Sequence, residues 1–405
     1  MNITRLNADF GNSYTNFTFD SYYFEIPTIV TEIKKEKAES LFTGTVDEVK
    51  DLLDRLVICT KIEDEERYFV LGNMAAKEHG ASTHVERMHD KTKSPIPYAI
   101  FMAAVAYYYK LKNPEGENKA TIEIDAMKMM LPIWLLKKET KFSIALEKME
   151  KRFAGEHQVT LLTPGMETEL TIKVNQPKCY IEGEVARWAL KYKIVNDEEN
   201  DATVIVKRPE ASMFEDTPTV FTDIGGGSVD DVLLATGLNA PVSRDSFQII
   251  AIEPFLGRLE TLRKEKLIEY FEDLKSLESF IVENYKEQKY ILENENTGKK
   301  VDLTNEITGM LQEYAEQLSE LVTTAYNTDR QRKKYIYFGG EAPILAPYIQ
   351  EAIVNLTSEK VLENNHFFLH EFLQDDENEV FKPTARTINL VALEILSLNE
   401  QSHQK

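Results

Sequence analysis

From Ile3 to Val30 apolar and polar positions alternate with the period of a β-strand, broken twice by turn residues, and Tyr14, Phe17, Phe19, Tyr22, Tyr23 and Phe24 supply aromatic strand formers. The pattern predicts an antiparallel meander of three strands. Helix-like spacing follows over Val46 to Leu53, then strands near Arg55 to Lys61 and Arg67 to Leu71. Pro95 and Pro97 open a long apolar helix running to about Leu111. Strands are expected at Thr121 to Ile124, Gln158 to Leu162 and Glu169 to Val174, with a helix near Lys138 to Phe153; Lys178 to Ile181 then leads directly into a helix over Glu182 to Tyr192.

The acidic, aperiodic stretch Asn196 to Asp201 reads as a surface loop or a seam between halves. Beyond it, Val220 to Ile224 and Val229 to Ala235 form a strand, glycine turn, strand unit. The rest is mainly helical, at about Leu256 to Lys275, Leu277 to Glu287 and Thr304 to Thr328, interrupted by a strand at Tyr335 to Phe338. A last helix near Thr387 to Leu398 carries an apolar face wide enough to be buried.

A chain of 405 residues exceeds what one core organises, so two domains are expected. No basic, apolar, small-residue leader opens it, and no apolar run approaches the roughly 18 residues that span a bilayer. A cytoplasmic protein without membrane contact is expected. Cys59 and Cys179 sit in apolar, strand-like segments and are too few for a disulfide framework or a zinc site. With 47 basic against 68 acidic residues the net charge is −21, which repels phosphodiester backbones and argues against direct nucleic-acid binding. Basic clusters remain at Arg330, Arg332, Lys333 and Lys334, read as a solvated face, and at Arg258, Arg263, Lys264 and Lys266, within reach of a nucleotide.

The chemistry concentrates in a repeated local pattern. Asp9-Phe10-Gly11-Asn12-Ser13 and Asp223-Ile224-Gly225-Gly226-Gly227-Ser228 each follow an apolar strand and precede another. Glycine lets main-chain N–H groups approach an oxyanion, and successive free amides make an anion nest to which a hydroxyl adds a donor. The aspartate repels phosphate but can hold magnesium, usually through water. One such hairpin is an ordinary turn; two, half a chain apart, suit two related domains holding one polyphosphate from opposite sides. A third element, Tyr335 to Phe338 entering Gly339-Gly340-Glu341-Ala342-Pro343, is a strand whose Gly-Gly turn opens a helix and lets backbone approach a flat ligand.

In this order the three motifs resemble the phosphate-one, phosphate-two and adenosine motifs of the actin, Hsp70 and sugar-kinase ATPase superfamily, over nearly the full length, and within it the chain resembles the ParM and Alp group of bacterial actins. The resemblance implies a two-domain α/β fold of duplicated RNase H-like domains with a nucleotide cleft between them: domain I over 1–195, closed by a C-terminal helix over 385–405, and domain II over 196–384. It implies ATP and Mg²⁺ as ligands, with Asp9, Gly11, Asn12 and Ser13 in the first phosphate loop, Asp223, Gly225, Gly226, Gly227 and Ser228 in the second, Gly339, Gly340 and Glu341 beside adenosine, and Asp9 and Asp223 toward the metal. Arg263, Lys264 and Lys266 fall where the family places ribose and base contacts. By the same likeness the strand to helix junction at Glu182 supplies the glutamate that orients the attacking water, with Glu184 as runner-up; the plain alternative is a carboxylate at the positive end of a helix dipole. On this reading neither the substrate domain of Hsp70 nor the amphipathic terminus of membrane-tethered actins is expected, and Pro383-Thr384-Ala385-Arg386 stands in place of the family's small-residue signature.

The implied function is an ATP hydrolase whose ATP state controls its assembly into filaments for plasmid DNA segregation, with itself and a DNA-binding adaptor as partners. The alternative on the same fold is a small-molecule kinase, for which Asp125, expected just after a strand, is the nominated base. A non-hydrolysing ATP-binding module is a third class. His79, His84 and His89 recur every five residues, which does not stack them on one helical face, and no G-x-x-x-x-G-K-[ST] sequence supports a P-loop.

Overall fold

The alternating run at the start folds into an antiparallel meander of β1 (Asn2–Phe10), β2 (Tyr14–Phe19) and β3 (Tyr22–Pro27), with Asp20 and Ser21 turning the second hairpin at positive φ. The structure, a computed structural model, describes residues 1–77, 83–84, 90–197, 202–326, 331–373 and 375–402. His79, His89, the side chain of His84, Arg330, most of the acidic stretch after Asn196 and the last residues of the 385–405 segment lie outside the described residues. By its packing the chain divides into two units, Met1–Val185 with Asn389–Lys405, and Ala186–Ile388.

In the first unit β4 (Ile29–Ile33), β5 (Leu56–Ile62), β6 (Glu65–Leu71), β7 (Thr83–His84), β8 (Lys119–Leu131), β9 (Gly155–Leu161) and β10 (Thr168–Ile181) join the meander in one sheet, ordered β3-β2-β1-β8-β10-β9-β5-β6-β4-β7. The strands β1, β8 and β10 run parallel at its centre. The two stretches read as separate strands before and after Pro177 are one strand, β10; its long parallel ladder with β8 carries Pro177 opposite Met127. The strand β8 likewise runs past Ile124, so Asp125 lies inside it, with Oδ2 accepting from Asn2 Nδ2 at 3.0 Å.

The helix Pro95–Lys112 starts where expected, its first turn capped by the Ser94 hydroxyl. It is buried on all sides and forms the heart of this unit's core. No helix among the described residues is long and apolar enough to cross a membrane. The helix Ile388–Ser402 returns to the meander and buries Glu394, whose carboxylate accepts from Asn7 Nδ2 (2.6 Å), Ser21 Oγ (2.8 Å), Arg5 Nε (2.9 Å) and Thr18 Oγ1 (3.2 Å).

The second unit begins with the helix Arg187–Lys191 and a hairpin of β11 (Tyr192–Asp197) and β12 (Ala202–Lys207), so the seam read near Asn196 falls inside a hairpin. Arg208, fully buried, anchors this hairpin by donating to Ala189 O and to the equally buried carboxylate of Glu379. Next come β13 (Thr219–Ile224), β14 (Val229–Leu234) and β15 (Phe247–Ile249), a small hairpin of β16 (Ile291–Asn294) and β17 (Lys299–Asp302), then β18 (Lys334–Phe338) and β19 (His366–Phe368). The main sheet runs β15-β14-β13-β18-β19, and the helices Phe255–Leu262, Leu274–Asn284, Thr304–Ala325 and Ala342–Leu356 contribute to the core that packs against it.

Among the polar residues buried in this unit, Asp231 is fully enclosed. Asp231 sits across from Thr222, which in turn faces Tyr337, and neither Asp231 oxygen closes a hydrogen bond among the described residues. Burial pushes its carboxyl up to about 8, eased by the nearby Thr222 hydroxyl and worsened by the charge of Asp230. Because the unfolded group ionises near 3.8, the stability it contributes is complete below that pH, is given up as pH rises toward 8 and is gone above it. Asp231→Asn should therefore match the wild type near about pH 4 and exceed it by a few kcal/mol above about pH 8, as read by urea melts across that range.

Candidate functional site

The first unit brings two of the expected residues together and adds a third. Asp9 ends β1 and Glu182 leaves the end of β10; the central parallel trio β1, β8 and β10 sets both at the same edge of the sheet. Lys91 Nζ lies 3.7 Å from Glu182 Oε2 with almost no exposure. Burial, then the charge of Glu182, drives the Asp9 carboxyl up to about 7, and Lys91 opposes the shift. Asp9 Oδ1 and Glu182 Oε2 are buried without any hydrogen-bond partner among the described residues. Two carboxylates with orphaned oxygens around one lysine form a site waiting for a ligand rather than a finished structural cluster.

Glu182 does not open a helix. Residues 182–186 form a turn, and the next helix begins only at Arg187. Gly183 supplies the bend at φ +76 and donates its N–H to Asn389 Oδ1, while Glu182 N–H is held by Leu131 O. The helix-dipole account of Glu182 thus loses its helix. Lys91 was invisible in a lysine-rich stretch before the proline helix; its backbone is fixed by Arg152, which donates to Lys91 O and Ser94 O. The first glycine loop is tight: a Cβ at Gly11 would collide with Tyr14 O, and Thr28 secures the loop through Gly11 O and Ser13 O. Asn12 and Ser13 follow in the same bend.

In the second unit the other two motifs converge. Gly339 at φ +97 packs so closely on the end of β13 that a Cβ would meet Ile224 O and Asp223 Oδ1, and Glu341 N–H donates to Ile224 O. The loop from Gly225 through Gly227 is closed by Gly225 N–H to Ser228 O; Ser228 Oγ donates to Asp230 Oδ2, and Glu341 Oε1 lies beside Gly226. Burial, then Glu278, pushes the Glu341 carboxyl up to about 8, opposed by Arg386 and Lys275. Next to Gly340 is a cavity of about 300 Å³ whose walls include Tyr285, Pro343, Ile344, His370 and Arg386. The segment Thr384 to Arg386, which replaces the expected small-residue signature, lines this cavity, and Ala385 O accepts the Gly339 N–H.

Arg263 and Lys264 both pair with Glu260. They lie in a π-helical turn, Arg263–Leu267, where Arg263 holds Glu260 through Nε and donates to Phe271 O and Glu272 O, and Lys264 pairs with Glu260 at 2.9 Å. Lys266 sits in the same turn. Neither Arg263 nor Lys264 lines the cavity beside Gly340. For magnesium the donor type suits the ion: Asp9 offers an orphaned hard carboxylate oxygen, Asp223 is a buried carboxylate near the end of β13, and the described residues hold no group of three or more His, Cys, Asp or Glu able to enclose a metal by themselves. An ion that keeps waters and phosphate oxygens in its shell needs one or two protein carboxylates, not a cage.

Comparison with known proteins converges on one family. Residues 8–184 match the N-terminal domain of actin-like proteins and residues 218–372 the Alp7A C-terminal domain. The chain is similar to the crystal structure of the actin-like protein Alp7A, at 41% identity over 100% of this chain and 98% of that one, with a TM-score of 0.87. It shares its fold with a Bacillus thuringiensis ParM solved with ATP (14% identity, 99% of this chain and 100% of that, TM-score 0.63) and with a ParM from a 15-stranded filament of Clostridium botulinum (13% identity, 99% and 100%, TM-score 0.62). No curated protein matches it. A two-unit α/β chain whose halves match these two domains in order, and whose whole length aligns with Alp7A, belongs to the Alp7A-like actin-like proteins.

Proposed function

We propose that the chain binds Mg-ATP, polymerises with copies of itself and hydrolyses the nucleotide, in the service of plasmid DNA segregation through a DNA-binding adaptor protein. The observation that carries this reading is the orphaned Asp9, Glu182 and Lys91 cluster at the ends of β1 and β10. Asp9 and Asp223 would hold magnesium, which when bound neutralises phosphate charge. The glycine loops at Gly11 to Ser13 and Gly225 to Ser228 receive the phosphates, and Gly339, Gly340 and Glu341 stand beside adenosine, with the adjoining cavity available to its ring. Glu182 orients the attacking water and Lys91 steadies that carboxylate. ParM relatives were solved with ATP, AMPPNP and ADP and as a filament, which supports the same ligand and the same assembly here. The kinase reading loses its nominated base, because Asp125 lies within β8 and is already bonded to Asn2.

Sedimentation with and without Mg-ATP at several protein concentrations tests the assembly: a pellet should appear only above a critical concentration, and a protein that never pellets in any nucleotide or salt condition is no filament former. Asp9→Ala and Asp223→Ala should weaken Mg-ATP binding far more than metal-free nucleotide binding, by titration calorimetry; equal losses would remove the carboxylates from the metal. Glu182→Ala should still bind ATP and pellet, yet release phosphate at least about tenfold more slowly, whereas Glu184→Ala turns over normally. Unchanged phosphate release in the Glu182 variant would take this residue out of the mechanism.

A further inference from the structure

A protein of net charge −21 has little reason to gather cations, yet the second unit does so. A cavity of about 380 Å³ is lined by Lys191, Tyr192, Lys207, Ala211, Glu215 and Gly237. Arg187 stands one helical turn before Lys191, its guanidinium 4.5 Å from the Trp188 ring, and Trp188 stacks at 5.9 Å on Tyr192, which braces that side of the cavity wall. Lys191 donates to the neutral Asn239 Oδ1 and has no carboxylate partner among the described residues. Its ammonium is held below its ordinary range by burial and then by the charges of Arg187 and Lys207. The one acid on the wall, Glu215, pairs with Lys207 at 2.9 Å in an exposed bridge that adds little. Like charges held together around a cavity are poised for an anion.

The first unit carries the opposite charge. The hairpin between β5 and β6 turns at Glu63 and Asp64, both left-handed at φ +54 and +66, where Asn and Gly are favoured. Glu63, Asp64, Glu65 and Glu66 follow one another there, all exposed, and none makes a salt bridge among the described residues. Four adjacent carboxylates, two of them on a strained two-residue turn, repel one another, eased within the chain only by the Tyr68 hydroxyl on Glu66 and the nearby charge of Arg67. The two turn residues put their carboxylates at the very tip of the hairpin, where they are the first groups to meet another surface.

We infer that the cavity at Lys191 and Lys207 receives the acidic hairpin tip Glu63 to Glu66 of a second copy of this chain. The two surfaces are different parts of one chain, so the contact joins unlike patches and is heterologous, the kind from which an open filament can be built. This rests on the filament reading above and names one of its contacts.

Two variants test it: Lys191→Glu with Lys207→Glu, and Glu63→Lys with Asp64→Lys, each sedimented in Mg-ATP beside the wild type. Each alone should raise the critical concentration at least about tenfold, and an equimolar mixture should pellet again, because each variant then finds a complementary surface only on the other. Rescue in the mixture also shows that both variants are folded. Variants that pellet like the wild type, or a mixture no better than its components, would overturn this contact while leaving the filament intact. A wild type that never pellets overturns the filament and this contact together.

Discussion

A carboxylate buried in a protein core is tolerable only when its oxygens are saturated with donors, and Glu394 meets that condition with four. Those donors sit on β1, β2 and the turn after β2, so the helix Ile388–Ser402 can seat in one register alone. Asn7 is held from both sides, donating to Glu394 and accepting from Ser397 Oγ. Two residues along the same strand is Asp9. The helix therefore fixes β1, β1 fixes its neighbours β8 and β10, and the strand ends that carry Asp9 and Glu182 inherit their positions from a polar contact at the far face of the meander.

Three kinds of buried acid can be told apart by their surroundings. Glu394 is satisfied and structural. Asp231 has lost its solvent without gaining full partners, in a row with Thr222 and Tyr337, and is retained at a cost to stability. Asp9 and Glu182 are also unsatisfied, but they share one lysine and lie at strand ends beside a glycine loop, where incoming groups could complete them. The same desolvation is a burden in one place and a preparation for binding in the other.

Much of this was legible in the residues. The aromatic meander, the proline-opened helix and the glycine turns after β1, β13 and β18 are local features, written in periodicity and in residues with special backbone freedom. What stayed hidden depends on tertiary pairing. The strand β10 runs through Pro177 because its ladder with β8 continues on both sides of it, and the pairing of β11 with β12 is hidden in the sequence by the acidic run after Asn196. Glu182 was picked out by its place after a strand, although the helix expected there starts later. Lys91 carried no signal, since nothing local separates a buried lysine from its exposed neighbour Lys93. The pairing of Arg263 with Glu260, one turn earlier, is likewise not announced by the basic run around it.

The second unit is one continuous stretch, Ala186–Ile388, set into the first, whose final piece comes after it in the chain. During synthesis the second unit can therefore collapse as soon as it leaves the ribosome. The first must wait with Asn7 and Thr18 unanswered until Glu394 arrives. A partly made chain then lacks the contact that sets β1, and with it the position of Asp9. The cluster of Asp9, Glu182 and Lys91 is thus tied to the last helix made, so its geometry is set at the end of synthesis and not during it.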